Sequence, residues 1–360
     1  MGFKFNTDLL TEENDHKMAL GAYPHVYFAL NFPDLRDLFL SLDAQATATK
    51  NRSRRLGVTA VCLVALALVI AAATPLHHRL PEPGPRIIVI LGAAAGIVGG
   101  GIGAFGIWFS KAKYEWLEQR YLSERLRQLH FQILIALAGD IVKGAESRDP
   151  NAFYALRSAA LERFKQHQIS PVSSKVGEMI KDECGEEQWL IKAGETPLPD
   201  GDPHLDELMQ AIEDLRMTHQ LNYAELKLSP ESLPLWSSPV KQVAVFSGVA
   251  FWAVATILLL DIAALLGALG PEELRGWIDI AALWLAIVAL AMRALEEGFQ
   301  SRREKERYRQ YGSNLRLVRR RFREAKGAAE KVRALREMED IAHEDLANFL
   351  KGNDEARFVM

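Results

Sequence analysis

Four apolar runs interrupt a chain that is otherwise densely charged. They are LGVTAVCLVALALVIAAATPL (56–76), IIVILGAAAGIVGGGIGAFGIWF (87–109), VAVFSGVAFWAVATILLLDIAALLG (243–267) and GWIDIAALWLAIVALAM (276–292). A bilayer core about 30 Å thick needs roughly 20 apolar residues in a helix. The first two runs meet this with no charge, the third carries Asp261 near its far end, and the fourth has Asp279 close to its start. A buried core helix is the alternative for each run, and it suits the shorter fourth run best. The pattern predicts an all-α membrane protein with four transmembrane helices in two hairpins and long, coiled-coil-like cytoplasmic helices. No alternating strand pattern stands out.

Lys and Arg near the span ends set the orientation. Lys50, Arg52, Arg54 and Arg55 precede the first span, and Lys111, Lys113, Arg120, Arg125 and Arg127 follow the second. Lys227 and Lys241 precede the third, and Arg293, Arg302, Arg303, Lys305, Arg307 and Arg309 follow the fourth. The loops 77–86 and 268–275 hold only Arg79, Arg86 and Arg275. Both termini and the long middle segment are therefore expected in the cytoplasm. The chain divides into a cytoplasmic helical segment (1–49), a first pair of spans with its cytoplasmic helix (50–140), a cytoplasmic helical segment and linker (141–204), and a second pair of spans with C-terminal cytoplasmic helices (205–360).

The two halves look related. ERLRQLHFQI (124–133) aligns with ERYRQYGSNL (306–315), and the same offset of 182 residues lays both spans of one half on those of the other. Two spans per repeat insert in the same orientation, which implies pseudo-symmetry about the membrane normal. After the fourth span, Tyr308, Tyr311, Leu315, Val318, Phe322, Ala325, Ala329 and Val332 recur at the three–four spacing of a heptad seam. A helix continuous to Leu350 would reach roughly 85 Å, but Gly298, Gly312 and Gly327 could break it and give a helical hairpin instead. In the first half the seam is shorter, because Asp140 falls opposite Phe322. Residues 8–49 predict a helix or two, 150–192 helices interrupted near QISP, 195–204 a linker, and 205–228 an amphipathic helix.

Composition adds limits. The 360 residues are 49% hydrophobic, with a net charge of −3, which gives no argument for nucleic acid. The two cysteines, Cys62 and Cys184, argue against a disulfide framework and fit a reducing compartment. Residues 1–55 lack the short apolar core of a secretory signal. No nucleophile–base–acid set is recognisable, so no enzymatic activity, cofactor or metal is expected. GGGIGAFG superficially matches a dinucleotide fingerprint, but it lies within a membrane-length run rather than between a strand and an amphipathic helix. His77 and His78 in the short loop, His343 and Glu344 on the terminal helix, and DECGEEQ (182–188) read as solvated surface more readily than as metal ligands.

Three groups of residues carry sharper expectations. Gly92, Gly96, Gly99, Gly100 and Gly103 repeat at helical spacing, and in lipid such small residues let a partner helix approach closely. The alanine-rich first span and a neighbouring copy are the two candidate partners. Asp261 and Asp279 are either interfacial, with Arg275 an i,i+4 partner for Asp279, or form an acidic pore mouth in an oligomer. Arg319, Arg320, Arg321 and Arg323 of RRRFR read as a solvated face, or as a contact for anionic lipid, a nucleotide or acidic helices.

The arrangement resembles the SLATT families, bacterial two-span proteins named for their association with nucleotide-generating SMODS and nucleotide-sensing SLOG domains. HQLNYAELK (219–227) is similar to their preceding helix, and MEDIAHEDLANFL (338–350) to their Glu-rich terminal helix. YEWLEQRYLSERLRQLHF (114–131) is similar to their signature helix, through Trp116, Arg120 and Glu124. The second half keeps Arg302 and Glu306 but has Gly298 in place of the tryptophan, as in a diverged tandem duplication. The resemblance covers 55–140 and 205–352. It implies an oligomeric effector of the bacterial inner membrane in antiphage defence, opening a pore or disrupting the bilayer when a nucleotide signal arrives. No SLOG or nucleotidyltransferase domain is evident, so the sensor is expected to be a separate cytoplasmic protein or the cytoplasmic helices themselves. A non-conducting scaffold that recruits partners through its coiled coil is the alternative.

Overall fold

The computed structural model describes residues 6–75, 83–108, 111–181, 188–192, 194, 196, 198–265 and 272–355. Every regular element among them is helical: α1 (Glu13–Ala22), α2 (Tyr27–Leu30), α3 (Pro33–Ala72), α4 (Gly84–Trp108), α5 (Lys111–Ala136), α6 (Ala138–Ser147), α7 (Asn151–Phe164), α8 (Val172–Ile180), α9 (Pro203–Ile212), α10 (His219–Leu228), α11 (Pro239–Leu265), α12 (Glu272–Phe299), α13 (Ser301–Glu324) and α14 (Ala328–Glu355). Single π-helical segments, Lys165–Ile169 and Glu213–Thr218, follow α7 and join α9 to α10.

Local chemistry explains the main boundaries. Pro33 opens α3, and no glycine or proline interrupts the chain from there until Gly57, so the polar stretch before the first span joins that span in one helix. At the start of α9, Asp202 accepts the main-chain N–H groups of His204 and Leu205, with Pro203 at the first helical position. The chain after the fourth span breaks twice. Gln300 adopts a left-handed backbone with φ of 49° between α12 and α13, and Gly327 lies in the turn before α14. The continuous-helix expectation therefore gives way to two helices. Gly312 stays helical, and a Cβ there would lie 3.4 Å from the Ala224 side chain, so it marks close packing against α10 rather than a break.

Contacts divide the protein into two compact units. The charged unit gathers the described residues of Met1–Thr47, Tyr114–Ser232 and Glu306–Glu355, and the apolar unit gathers those of Ala48–Lys113 and Leu233–Lys305. The chain thus passes between the units four times.

The apolar unit holds four helices long and apolar enough to cross a membrane. Only 6% to 22% of their most apolar windows is buried, so the rest of the described chain leaves most of their apolar surface uncovered. Where they touch, the contacts are close. A Cβ at Gly92 would meet Ile70 at 2.6 Å, one at Gly96 would meet Ala67 at 3.3 Å, and one at Gly99 would meet Leu63 at 2.8 Å. These three glycines let α4 sit directly on the alanine-rich face of α3. Gly100 and Gly103 have open space beside them. On the other pair, Ala250 and Ala253 of α11 pack on Ala289 of α12, while Phe246, Leu295 and Phe299 form a second cluster that Val58 and Val61 of α3 join. Trp284 donates its indole N–H to the Val69 carbonyl at 3.0 Å, a further tie between α12 and α3.

Candidate functional site

The centre of the charged unit is α5, and from Tyr121 to its end at Ala136 it is almost entirely buried. A helix covered on every side must find a partner for each polar group it carries, because an unpaired buried charge is costly. This one carries Arg120, Glu124, Arg125, Arg127 and His130, and the fold answers most of them with residues from distant segments.

Trp116 is buried and meets Phe349 of α14 edge-to-face at 5.5 Å. One turn on, Arg120 pairs with Glu124 at 2.5 Å and with Asp43 at 3.4 Å. Glu124 also accepts two hydrogen bonds from Arg127, at 3.0 and 3.2 Å. Burial alone would raise the Glu124 carboxyl, but Arg120, Arg127 and Arg216 outweigh it and hold the pKa at about 2. Arg127 reaches further: its Nη2 donates to Asn6 at 2.7 Å, its plane lies 4.9 Å from the Phe39 ring, and its Nε sits 3.1 Å from Asp8. The last contact is an ion pair without hydrogen-bond alignment, and it leaves the fully buried Asp8 carboxylate neutralised mainly through charge.

A second buried pair faces the same helix. Arg216 donates to Glu339 through Nε at 2.8 Å and through Nη2 at 3.1 Å, with the two side chains 2% and 1% exposed. The guanidinium lies 4.9 Å from the Phe131 ring of α5. Burial works against the charge on Arg216, yet the paired carboxylate holds its pKa up. Arg216 and Glu213 both lie on the π-helical segment between α9 and α10, a geometry often found at functional positions. Glu213 accepts from Arg319 at 3.0 Å and from Arg323 at 2.6 Å. Together these pairs tie the N-terminal, middle and C-terminal segments into one ionic core.

Comparisons with protein-family models, curated proteins and solved structures find no match.

The core brings some of the singled-out residues together and separates others. Trp116, Arg120 and Glu124 share one face of α5, Trp116 buried and the ion pair half-buried. Their counterparts diverge: Arg302 turns within the apolar unit to Glu296 (2.6 Å) and Ser247 (2.9 Å), whereas Glu306 makes an exposed pair with Arg309 at 2.6 Å in the charged unit. Within RRRFR, Arg319 and Arg323 hold Glu213, Arg321 pairs with Glu337, and Arg320 is exposed. Asp261 and Asp279 are both exposed on the apolar unit, and no ion pair joins them among the described residues. The side chain of Arg275, with His77, His78 and most of DECGEEQ, lies outside the described residues.

His343 corrects an expectation. It is half-buried rather than solvated, and its Nδ1 accepts a hydrogen bond from Arg125 at 2.9 Å, which places the ring proton on Nε2. Burial and the Arg125 charge lower its pKa to about 4. His130, buried on α5, is lowered to about 3 by burial and by Arg157, Arg216 and Arg36. Both rings are neutral in the fold at a pH where the unfolded chain is already binding protons. Stability is therefore full above the unfolded value near 6.5 and is lost as pH falls towards 4. The melting temperature in detergent is expected to drop by several degrees between pH 7.5 and 5, and His343→Gln should reduce that drop. Equal melting temperatures at the two pH values would contradict it.

Asp8, Asp43, Glu213, Arg216 and Glu339 carry no distinguishing pattern in the sequence, and Arg127 stands out there only as one of the cations after the second span. The available signal was the density of apolar residues around Arg127, His130 and Gln132, which marks a helix with no solvated side.

Proposed function

We propose that this protein is an oligomeric, multi-span effector of the bacterial inner membrane, with both termini in the cytoplasm. Its charged cytoplasmic unit gates a pore or membrane-disrupting assembly in response to a nucleotide-linked defence signal. The observation that carries the reading is connectivity. The four helices suited to a bilayer join the charged unit through four chain crossings, and the charged unit is itself closed by ion pairs between its three segments. A signal that loosens those pairs would act on all four spans at once. Within one chain the seams are filled by glycine, alanine and large apolar side chains, so conduction would require several copies. Gly100 and Gly103, open on the surface of α4, are the positions proposed to meet a neighbouring copy, and Asp261 and Asp279 would then ring the pore mouth. The two-hairpin arrangement, the coiled-coil seam and the SLATT relationship belong to this proposal. A separate sensor protein would deliver the signal.

Planar-bilayer recording of the full-length protein tests it. Arg127→Met, which loosens the ionic core, is expected to raise conductance over the wild type, and Asp261→Asn with Asp279→Asn to reduce cation selectivity. Gly100→Leu should convert the cross-linked oligomer largely to single chains while leaving each chain folded. Bilayers that stay sealed with both the wild type and Arg127→Met would refute the pore. The scaffold reading then takes its place, supported by the close apolar packing of Ala250, Ala253 and Ala289 within the chain.

A further inference from the structure

We infer that the charged unit carries a binding site for one divalent transition-metal ion of the zinc class, built from His25, His204 and Glu207. The inference stands apart from the pore proposal and depends on none of the membrane-facing residues.

The three residues come from two places in the chain. His25 lies in the turn between α1 and α2, and His204 and Glu207 occupy the first two turns of α9. Three residues apart on a helix, the last two project from the same face. Their donor atoms, one each, all lie within 4.8 Å of one another. His25 Nδ1 is already 2.7 Å from Glu207 Oε2, and the two imidazole rings are 5.0 Å apart between centroids.

Two further observations point to a ligand rather than to a simple ion pair. His204 Nδ1 is buried and has no hydrogen-bond partner among the described residues, whereas buried ring nitrogens ordinarily find one. Glu207 is held by more than the histidine. Its Oε1 accepts the main-chain N–H groups of His25 at 2.8 Å and Val26 at 3.2 Å, which leaves Oε2 directed at the His25 ring. Such outer contacts orient metal-ligating carboxylates. The base of α9 is fixed in turn by Asp202, which accepts from His204 N at 2.8 Å and Leu205 N at 3.0 Å.

Two imidazoles and a carboxylate suit zinc and its neighbours in the first transition row, and suit calcium and magnesium poorly. Bond lengths of about 2.0–2.2 Å in a tetrahedron place donor atoms roughly 3.3 Å apart. Reaching that spacing needs only side-chain rotation, because the His25 side chain is 60% exposed. The metal takes the place of the proton between His25 and Glu207. With three protein ligands and an exposed edge, water completes the coordination. Binding would fasten the turn at His25 to α9 and so clamp the N-terminal segment onto the middle one, as the ionic core does elsewhere in the unit.

The test uses tag-free, full-length protein in detergent, stripped with a chelator and titrated with Zn²⁺ by calorimetry. One ion per chain is expected. Glu207→Gln keeps an acceptor for the two main-chain N–H groups but loses the anionic ligand, and His25→Ala changes an exposed side chain. Each should weaken binding tenfold or more, and His25→Ala with His204→Ala should abolish it. With Co²⁺ in place of Zn²⁺, the visible absorption of the tetrahedral ion should appear in the wild type and vanish in the double variant. Absence of stoichiometric binding by the wild type, or unchanged binding by the double variant, overturns the site. Retained near-ultraviolet circular dichroism in His25→Ala and Glu207→Gln separates loss of ligands from loss of fold.

Discussion

Glu339→Ala is expected to destabilise the charged unit by about 3–5 kcal/mol, the range seen when one partner of a buried ion pair is removed. The reason is what remains. Arg216 would keep its charge at 2% exposure, with two of its donors suddenly unpaired and the Phe131 ring 4.9 Å away. With both side chains closed off from solvent, water is poorly placed to replace the lost carboxylate. In a unit of this size the loss corresponds to a fall in melting temperature of roughly 10 °C. Arg216→Met combined with Glu339→Leu should cost much less than either single change, since apolar residues of similar volume can replace a buried pair at little cost. If the double variant is as unstable as the single ones, the pair contributes through shape rather than charge. The comparison to make is Arg321 with Glu337, whose side chains are 53% and 38% exposed. Removing that pair should change stability by well under about 1 kcal/mol.

The contrast between these two pairs explains what could and could not be read from the chain. The apolar runs were legible because a bilayer imposes a length, and α3, α4, α11 and α12 each cover all or most of the run expected there. Three of the five glycines were legible too: Gly92, Gly96 and Gly99 meet the first span, as small residues at helical spacing allow, while Gly100 and Gly103 have open space beside them among the described residues. Charged residues on a helix, however, look the same in sequence whether water or another segment covers them. Arg127 and Arg216 resembled the solvated Arg309 and Arg320, and only the return of distant segments distinguishes them. The break at Gln300 was misplaced for a similar reason. Gly298 is the easier residue to unwind, yet the helix runs past it, and the left-handed turn falls on a glutamine. His25 and Glu207, far apart in sequence, offered no ligand spacing to recognise.

Arg127→Met should produce the second large effect, and a more localised one. Arg127 is the only described group that pairs with Asp8 at close range, His219 being 3.9 Å away. Without the guanidinium, a carboxylate with no exposure and no hydrogen bond stands in an apolar site, a situation proteins resolve by protonation or by local unfolding. Glu124 is better protected, because Arg120 still holds it at 2.5 Å. The damage therefore falls on the segment that Asp8, Asn6 and Phe39 anchor, at an expected cost of about 3–5 kcal/mol. Hydrogen exchange should accelerate in α1 and in the first turns of α3, with much smaller changes around Arg216 and Glu339. Adding Asp8→Asn removes the stranded charge and should recover most of the lost stability and most of the slow exchange. A double variant no more stable than Arg127→Met alone would mean that Arg127 acts through its stacking on Phe39 and its bond to Asn6.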